Sequence, residues 1–234
     1  MQELKILYED NHIIVVLKQQ NILSQGDETS DKSLLDMVKE YIKEKYNKPG
    51  NVFVGLVHRL DRPTGGIMVF AKTSKAANRL SEQIKNKKFT KKYLTVVVGT
   101  PRYKSSRLEH FLKKDEKTNI VKVVPRSVDG AKQAILQYET IKTIDTVSLV
   151  DVQILTGRSH QIRVQMAQIG TPVFGDAKYN GDTLAKGHNL ALWAYHLSFE
   201  HPTTKKMMMF NCIPNTDMVP WNVFKVEVEK KQLV

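Results

Sequence analysis

At 234 residues with 36 Lys+Arg, 24 Asp+Glu and a net charge of +12, the chain is long enough to bury ~70% of its unfolded surface without disulfide or metal staples. The single cysteine, Cys212, rules out an intramolecular disulfide and a cysteine-rich zinc site, and points to a reducing compartment, the cytoplasm. With no secretory leader pattern and no apolar run longer than stretches such as 13–17, a soluble protein is expected; its cationic excess favours nucleic acid over a membrane surface, the plain alternative being a merely lysine-rich composition.

Residues 4–8 and 12–17 read as two strands joined through Glu9, Asp10 and Asn11, and 21–30 as a polar loop. Asp31 or Ser33 can cap a helix with Leu34, Leu35, Val38, Tyr41 and Ile42 on one face, ending near 48–50. A strand follows at 66–71, then a helix capped by Ser74 and running to about 87, with Ala77, Leu80 and Ile84 along its apolar stripe. Residues 92–98 read as a strand closed by Gly99, and 105–124 as short strands and turns bearing lysines. A hairpin is expected from 132–141 and 146–154 around Asp145. The stretch 159–169 reads as a helix capped by Ser159 and stopped by Gly170. Strands at 190–199 and 206–212 precede an ambiguous tail from Trp221. Strands with helices inserted irregularly predict an α+β fold with a mixed, largely antiparallel central sheet, and no linker or repeat divides the single domain expected over 1–234.

Three segments can carry chemistry. In the first, Asp61 stands between Arg59 and Arg62 in His58-Arg59-Leu60-Asp61-Arg62, a stretch punctuated by Pro63, Gly65 and Gly66. Glycines permit a tight turn and close ligand approach, and nearby guanidinium groups favour an ionised carboxylate able to act as nucleophile or base. The plain alternative is a turn aspartate in a surface salt bridge. In the second, Arg158, His160 and Arg163 cluster about the start of the helix after Gly157, where free N–H groups suit a phosphate. The alternative there is a solvated basic helix end. In the third, five lysines (85, 87, 88, 91 and 92) interleave with Phe89 and Tyr93, so that Lys88, Lys91 and Lys92 suit a phosphate path ending on a stacking ring. Alone, such a run is as well explained by a solvated face.

P-loop, dinucleotide, zincin and nucleophile-elbow patterns are absent, and the seven histidines lack metal-ligand spacing. Together the segments resemble the RluA-type family of RNA pseudouridine synthases. His58-Arg59-Leu60-Asp61 runs into Met68 to Thr73, and Lys92-Tyr93 follows. About a hundred residues after the first motif comes Thr156-Gly157-Arg158-Ser159-His160-Gln161-Ile162-Arg163, then Gly175-Asp176-Ala177-Lys178-Tyr179 and the stretch from Leu197 to His201-Pro202-Thr203. The chain departs from the family where Lys18-Gln19-Gln20-Asn21 replaces Lys-Pro-x-Gly. It departs again where Thr64-Gly65-Gly66 replaces Thr-Ser-Gly, and where Gln165 takes a common histidine position.

The resemblance implies a pseudouridine synthase catalytic domain without the small N-terminal RNA-binding module of many relatives, gripping RNA by its own surface. It implies isomerisation of uridine in rRNA or tRNA, with no cofactor or metal, by a protein taken as a monomer. By the same resemblance Asp61 is the catalytic carboxylate, Arg163 pairs with it, and Tyr93 stacks on the uracil. Arg59, Arg62, Arg158, His160, Lys88, Lys91 and Lys92 are then candidate RNA contacts. The competing reading is a non-catalytic RNA-binding or ribosome-assembly protein on the same fold.

Overall fold

A computed structural model of the chain describes residues 4–27, 31–179 and 187–232. Residues 28–30 of the expected loop lie outside them. The chain forms two compact units, 1–90 with 196–212, and 91–195 with 213–234.

The first unit opens with β1 (Lys5–Glu9) and β2 (Ile13–Lys18), an antiparallel pair. Asp10 makes the turn between them, its Oδ1 accepting the His12 and Ile13 N–H groups at 2.7 and 2.8 Å. The deeply buried His201 fixes the same aspartate. Its Nδ1 accepts N–H bonds from Thr203 and Thr204, which leaves Nε2 to donate to Asp10 at 2.8 Å. That motif holds the hairpin.

Helix α1 (Leu34–Lys45) starts at Ser33, whose hydroxyl accepts the Asp36 N–H while the Asp36 carboxylate accepts the Ser33 N–H. The helix stops at Lys45, short of the expected 48–50, with Asn47 at a positive φ of 45° just beyond. Ser33→Ala removes a buried cap and is expected to cost about 1–2 kcal/mol, read as a lowered denaturant midpoint at unchanged slope.

Strands β3 (Gly55–Leu56) and β4 (Gly65–Ala71) follow, and β4 pairs antiparallel with both β2 and β3. Every residue of β2 and β4 is buried, which explains their continuous rather than alternating apolar runs. Helix α2 (Ser74–Lys85) is capped by Thr73, not Ser74. Thr73 is the extended residue of the tandem hydroxyls, and its Oγ1 accepts the Ala76 N–H at 3.1 Å. The buried stripe is accordingly Ala76, Leu80 and Gln83 rather than Ala77, Leu80 and Ile84. Ala77 faces β3 closely, since a Cβ on Gly55 would lie 2.8 Å from its methyl carbon.

The second unit takes up β5 (Thr90–Val98), β6 (Ser105–Asp115), β7 (Ile120–Val124), β8 (Lys132–Ile144) and β9 (Val147–Ile154), antiparallel in the order β5-β9-β8-β6-β7. Where short strands and turns were expected, β6 is a single strand of 11 residues. Exposed Arg107, Glu109 and Lys113 alternate with the less exposed Leu108 and Leu112, so charge does not interrupt it. Asp145 turns the β8–β9 hairpin at φ 50°.

Helix α3 (Gln161–Gln168) starts two residues later than expected, and Ser159 does not cap it. His160 occupies that position in a left-handed conformation, φ 51°. Gln161 ties the approach instead: its Oε1 accepts from Arg158 N–H and the Thr156 hydroxyl, and its Nε2 donates to the Ile135 carbonyl. Beyond it β10 (Leu192–Glu200) carries the chain back into the first unit, where β11 (Met207–Asn211) pairs with its end. The tail resolves into a 3-10 turn (Trp221–Phe224) and α4 (Lys225–Lys230) in the second unit. The whole is α+β with a mixed, mostly antiparallel sheet, as expected.

Candidate active site

The candidate residues fall in both units. Asp61, Arg59, Arg62 and Lys88 belong to the first; Lys91, Lys92, Tyr93, Arg158, His160 and Arg163 to the second.

In the first unit, the turn before β4 presents Asp61. The Thr64 N–H closes it onto the Asp61 carbonyl at 3.0 Å. Before the turn, Ser24 Oγ donates to the Leu60 carbonyl at 2.7 Å and accepts the Leu60 N–H at 3.1 Å. His58 Nε2 accepts the Val69 N–H, so this imidazole carries its proton on Nδ1 and serves the backbone of β4. Lys18, wholly buried at the end of β2, donates from Nζ to the carbonyls of Arg62 at 2.9 Å, Thr64 at 2.7 Å and Gln19 at 3.2 Å. Burial pushes its ammonium down to about 7; the Asp61 carboxylate opposes that shift and the Arg62 guanidinium adds to it. Gln20 Nε2 donates to the Pro63 carbonyl at 3.1 Å. Asp61 itself is half-buried, whereas Arg59, Arg62 and Lys88 are exposed, and Arg62 forms a surface pair with Asp31 at 2.7 Å.

In the second unit, the period-two alternation of β5 sorts the lysine tract. Tyr93, 7% exposed, lies in a cross-strand row with Val152 and Tyr138. Lys91 shares that face. Lys92 points to the other, in a row with Gln153, Gln137 and Arg107. The Lys91 Nζ sits beside the turn that opens the second motif, 3.9 Å from where a Cβ on Gly157 would stand, and burial lowers its pKa. The sheet therefore brings Lys91, not Lys92, together with Tyr93.

Arg163 is nearly buried on α3 and grips Asp176 with two parallel bonds, Nε to Oδ2 and Nη2 to Oδ1, each 2.7 Å. This fork matches a carboxylate's shape as well as its charge. The same Asp176 Oδ1 accepts the N–H groups of Lys178 and Tyr179, which turns the chain beneath the guanidinium. The Arg163 charge lies 5.1 Å from the Tyr179 ring centroid, and the Tyr179 hydroxyl bonds His160 Nδ1 at 2.7 Å while accepting the Val121 N–H at 2.9 Å. Tyr179 thus joins His160 and Arg163, although His160 stands before α3 in a left-handed conformation and not on its face as expected. Gly175 permits the close passage just before Asp176: its φ is 76°, and a Cβ there would meet the Asn189 carbonyl oxygen at 2.2 Å. Arg158 is exposed and donates from Nε to the Gln133 carbonyl.

Sequence reasoning quoted Asp176 and Lys18 only within motifs and gave neither a role. A signal for each existed: an arginine inside Ile162-Arg163-Val164, and a lysine ending five consecutive apolar residues. A buried cation needs oxygens around it. Among the described residues no three His, Cys, Asp or Glu side chains gather as a metal site, and no helix is long and apolar enough to cross a membrane.

The profile of the RNA pseudouridylate synthase family matches residues 12–168. The chain is 32% identical over 219 residues to the uncharacterized RNA pseudouridine synthase YlyB of Bacillus subtilis, an alignment covering 92% of this chain and 71% of that one. It is 32% identical to the ribosomal large subunit pseudouridine synthase D of Borreliella burgdorferi, over 83% of this chain and 60% of that one. With the enzyme of the same name from Vibrio cholerae the identity is 31%, over 92% and 69%. It therefore spans 60–71% of the length of these three relatives. Among solved structures, human RNA pseudouridylate synthase domain containing 4 superposes with a TM-score of 0.75 at 22% identity, covering 98% of this chain and 93% of the other. That likeness bears on the fold.

Proposed function

Because this chain belongs to the RNA pseudouridylate synthase family, we propose that it isomerises uridine in structured RNA to pseudouridine, with Asp61 as the reacting carboxylate. The observation that carries the assignment of Asp61 is its setting: a half-buried carboxylate at the tip of a turn whose backbone is tied down on both sides, with the Lys18 ammonium acting on it.

The N1–C1′ bond breaks, the uracil turns, and C5 joins C1′, so the product has the atoms of the substrate and no redox partner is consumed. Cationic character builds at the sugar as the first bond breaks, and an adjacent carboxylate stabilises it. Asp61 either attacks C1′ or removes the 2′ proton. Tyr93 stacks on the extruded base and assists proton loss at C5, and Arg163 serves the same reaction as its cationic group. Lys88, Lys91, Lys92, Arg59, Arg62, Arg158 and His160 contribute the phosphate grip that a +12 protein brings to a polyanion.

The names of several relatives favour ribosomal RNA of the large subunit over tRNA as the substrate. The reading extends to one catalytic domain, acting as a cytoplasmic monomer without cofactor. RNA carrying 5-tritiated uridine tests it, because only isomerisation releases that label to water. Binding without label release would instead establish an RNA-binding or ribosome-assembly protein. Comparing large-subunit rRNA with tRNA in the same assay identifies the substrate.

A further inference from the structure

Away from the candidate site, the buried carboxylate of Glu9 at the end of β1 organises lysines and tyrosines at the surface of the first unit. Burial opposes its ionisation, but bonds from Lys45, Lys72, Tyr46 and Tyr41 outweigh that effect and hold its pKa at about 2. Tyr46 Oη donates to Glu9 Oε1 at 2.8 Å and Tyr41 Oη to Oε2 at 2.9 Å, while the ammonium groups of Lys72 and Lys45 stand 2.5 and 2.6 Å from the same carboxylate. The hydroxyl of Tyr46 is thereby anchored, yet the residue stays 44% exposed. Three ammonium groups surround its ring, those of Lys72, Lys45 and Lys48 at 4.7, 5.5 and 5.8 Å from the centroid. Lys39 and Lys43 precede it at helical spacing, and with Glu40 they line an open groove of about 340 Å³ between α1 and residues 50–52.

We propose that this surface is an accessory RNA site, in which Tyr46 stacks on an unpaired base flanking the target while Lys43 and Lys48 hold its phosphates. The inference rests on RNA being the substrate, and it concerns none of the reacting residues. Charge favours a polyanion here. Five lysines (39, 43, 45, 48 and 72) face three carboxylates, of which Glu9 is taken by Lys45 and Lys72, Glu40 by Lys32, and only Glu44 is left. Charge alone would suit an acidic peptide equally. The exposed ring favours RNA, because every base offers a π-face, and a tyrosine whose hydroxyl is already anchored loses little freedom when it stacks. Lys72 directly follows β4 and the Asp61 turn directly precedes it, so the two sites stand at opposite ends of one strand, roughly 25 Å apart. The base at Tyr46 is therefore a different nucleotide from the uridine at Asp61, and the site adds affinity for the surrounding RNA.

The test uses the full chain and a blunt RNA hairpin, alone or with a single-stranded uridine extension of about eight nucleotides on its 5′ or its 3′ end. Wild type is expected to bind one extended form about 10-fold more tightly than the blunt hairpin, as one stacked base and its phosphates allow. Tyr46→Leu is expected to lose most of that gain while binding the blunt hairpin about as wild type does. Tyr46→Phe loses the same bond to Glu9 but keeps the ring, and is expected to retain the gain. Combining Lys43→Ala with Lys48→Ala should flatten the slope of log affinity against log salt, for the extended RNA, by about 0.7 per lysine.

Wild type that gains nothing from either extension overturns the proposal, as does folded Tyr46→Leu that keeps the gain. Equal losses in the leucine and phenylalanine variants overturn it too, since the tie to Glu9 would then matter and the ring would not. Should Tyr46→Leu fail to fold, the lysine pair decides: an unchanged salt slope overturns the proposal and a flattened one supports it. Polyglutamate that binds through Lys43 and Lys48, with no gain from either extension, assigns the surface to an acidic protein instead. Tritium release measured in parallel keeps the two readings apart. An extension gain without release sinks the isomerase reading and leaves this site standing, and release without the gain does the reverse.

Discussion

Asp61→Asn is expected to reduce tritium release by at least about 10³-fold while RNA affinity stays within about threefold. The substitution preserves the volume and removes only the ionised oxygen. Because the turn is held through backbone carbonyls, the asparagine should occupy the aspartate's place. What disappears is the group that answers positive charge at C1′, and an amide is neither a nucleophile nor a base at neutral pH. Asp61→Glu is a stringent companion. It keeps the charge but displaces it by one methylene, and a misplacement of that size costs on the order of 100-fold. An Asp61→Asn protein that isomerises uridine at the wild-type rate would remove this residue from the chemistry altogether.

The buried pair of the second unit gives the other large effect. Arg163→Met takes the forked guanidinium away from Asp176, whose side chain has no exposed surface, and is expected to cost about 3–5 kcal/mol. Asp176→Asn should also destabilise the unit, since it breaks the forked charge pair with Arg163. The double variant removes both charges, and most of that stability should return, because a buried pair replaced as a whole is often nearly neutral. Activity should not return with it if Arg163 serves the reaction. Denaturant unfolding of the two single variants and the double, with tritium release per folded molecule, resolves stability from chemistry. Recovery of both together in the double variant would make Arg163 a structural residue only.

How much of this was legible beforehand depended on whether the information lay in side-chain period or in backbone geometry. The apolar runs at 13–17 and 66–71, the β8–β9 hairpin about Asp145 and the stop at Gly170 follow from period and turn chemistry, and all appear. The turn bearing Asp61 was marked by Pro63, Gly65 and Gly66. Caps were less legible, because the tandem hydroxyls Thr73 and Ser74 are chemically equal and only their φ/ψ values separate them. At α3 the expected Ser159 cap lost to a side-chain network centred on Gln161, whose partner Ile135 lies on another strand. The partners of Lys18 were illegible for a plainer reason. They are peptide oxygens, which every residue carries and no sequence pattern marks. Asp176 stands between these cases, since the need of Arg163 for an anion was readable but the choice of anion depended on the fold.

The complete burial of β2 has a cost during synthesis. Its five apolar residues, uncharged and β-branched at four positions, are the kind of segment that pairs with other chains when left open. One edge is covered by β1, already made, but the other belongs to β4, which is translated about fifty residues later. At ribosomal speed that is a delay of roughly 2–10 s. For that interval the nascent chain trails an unpaired, adhesive edge, so its yield in a producing cell should depend on temperature and on chaperones far more than the finished protein's stability would suggest.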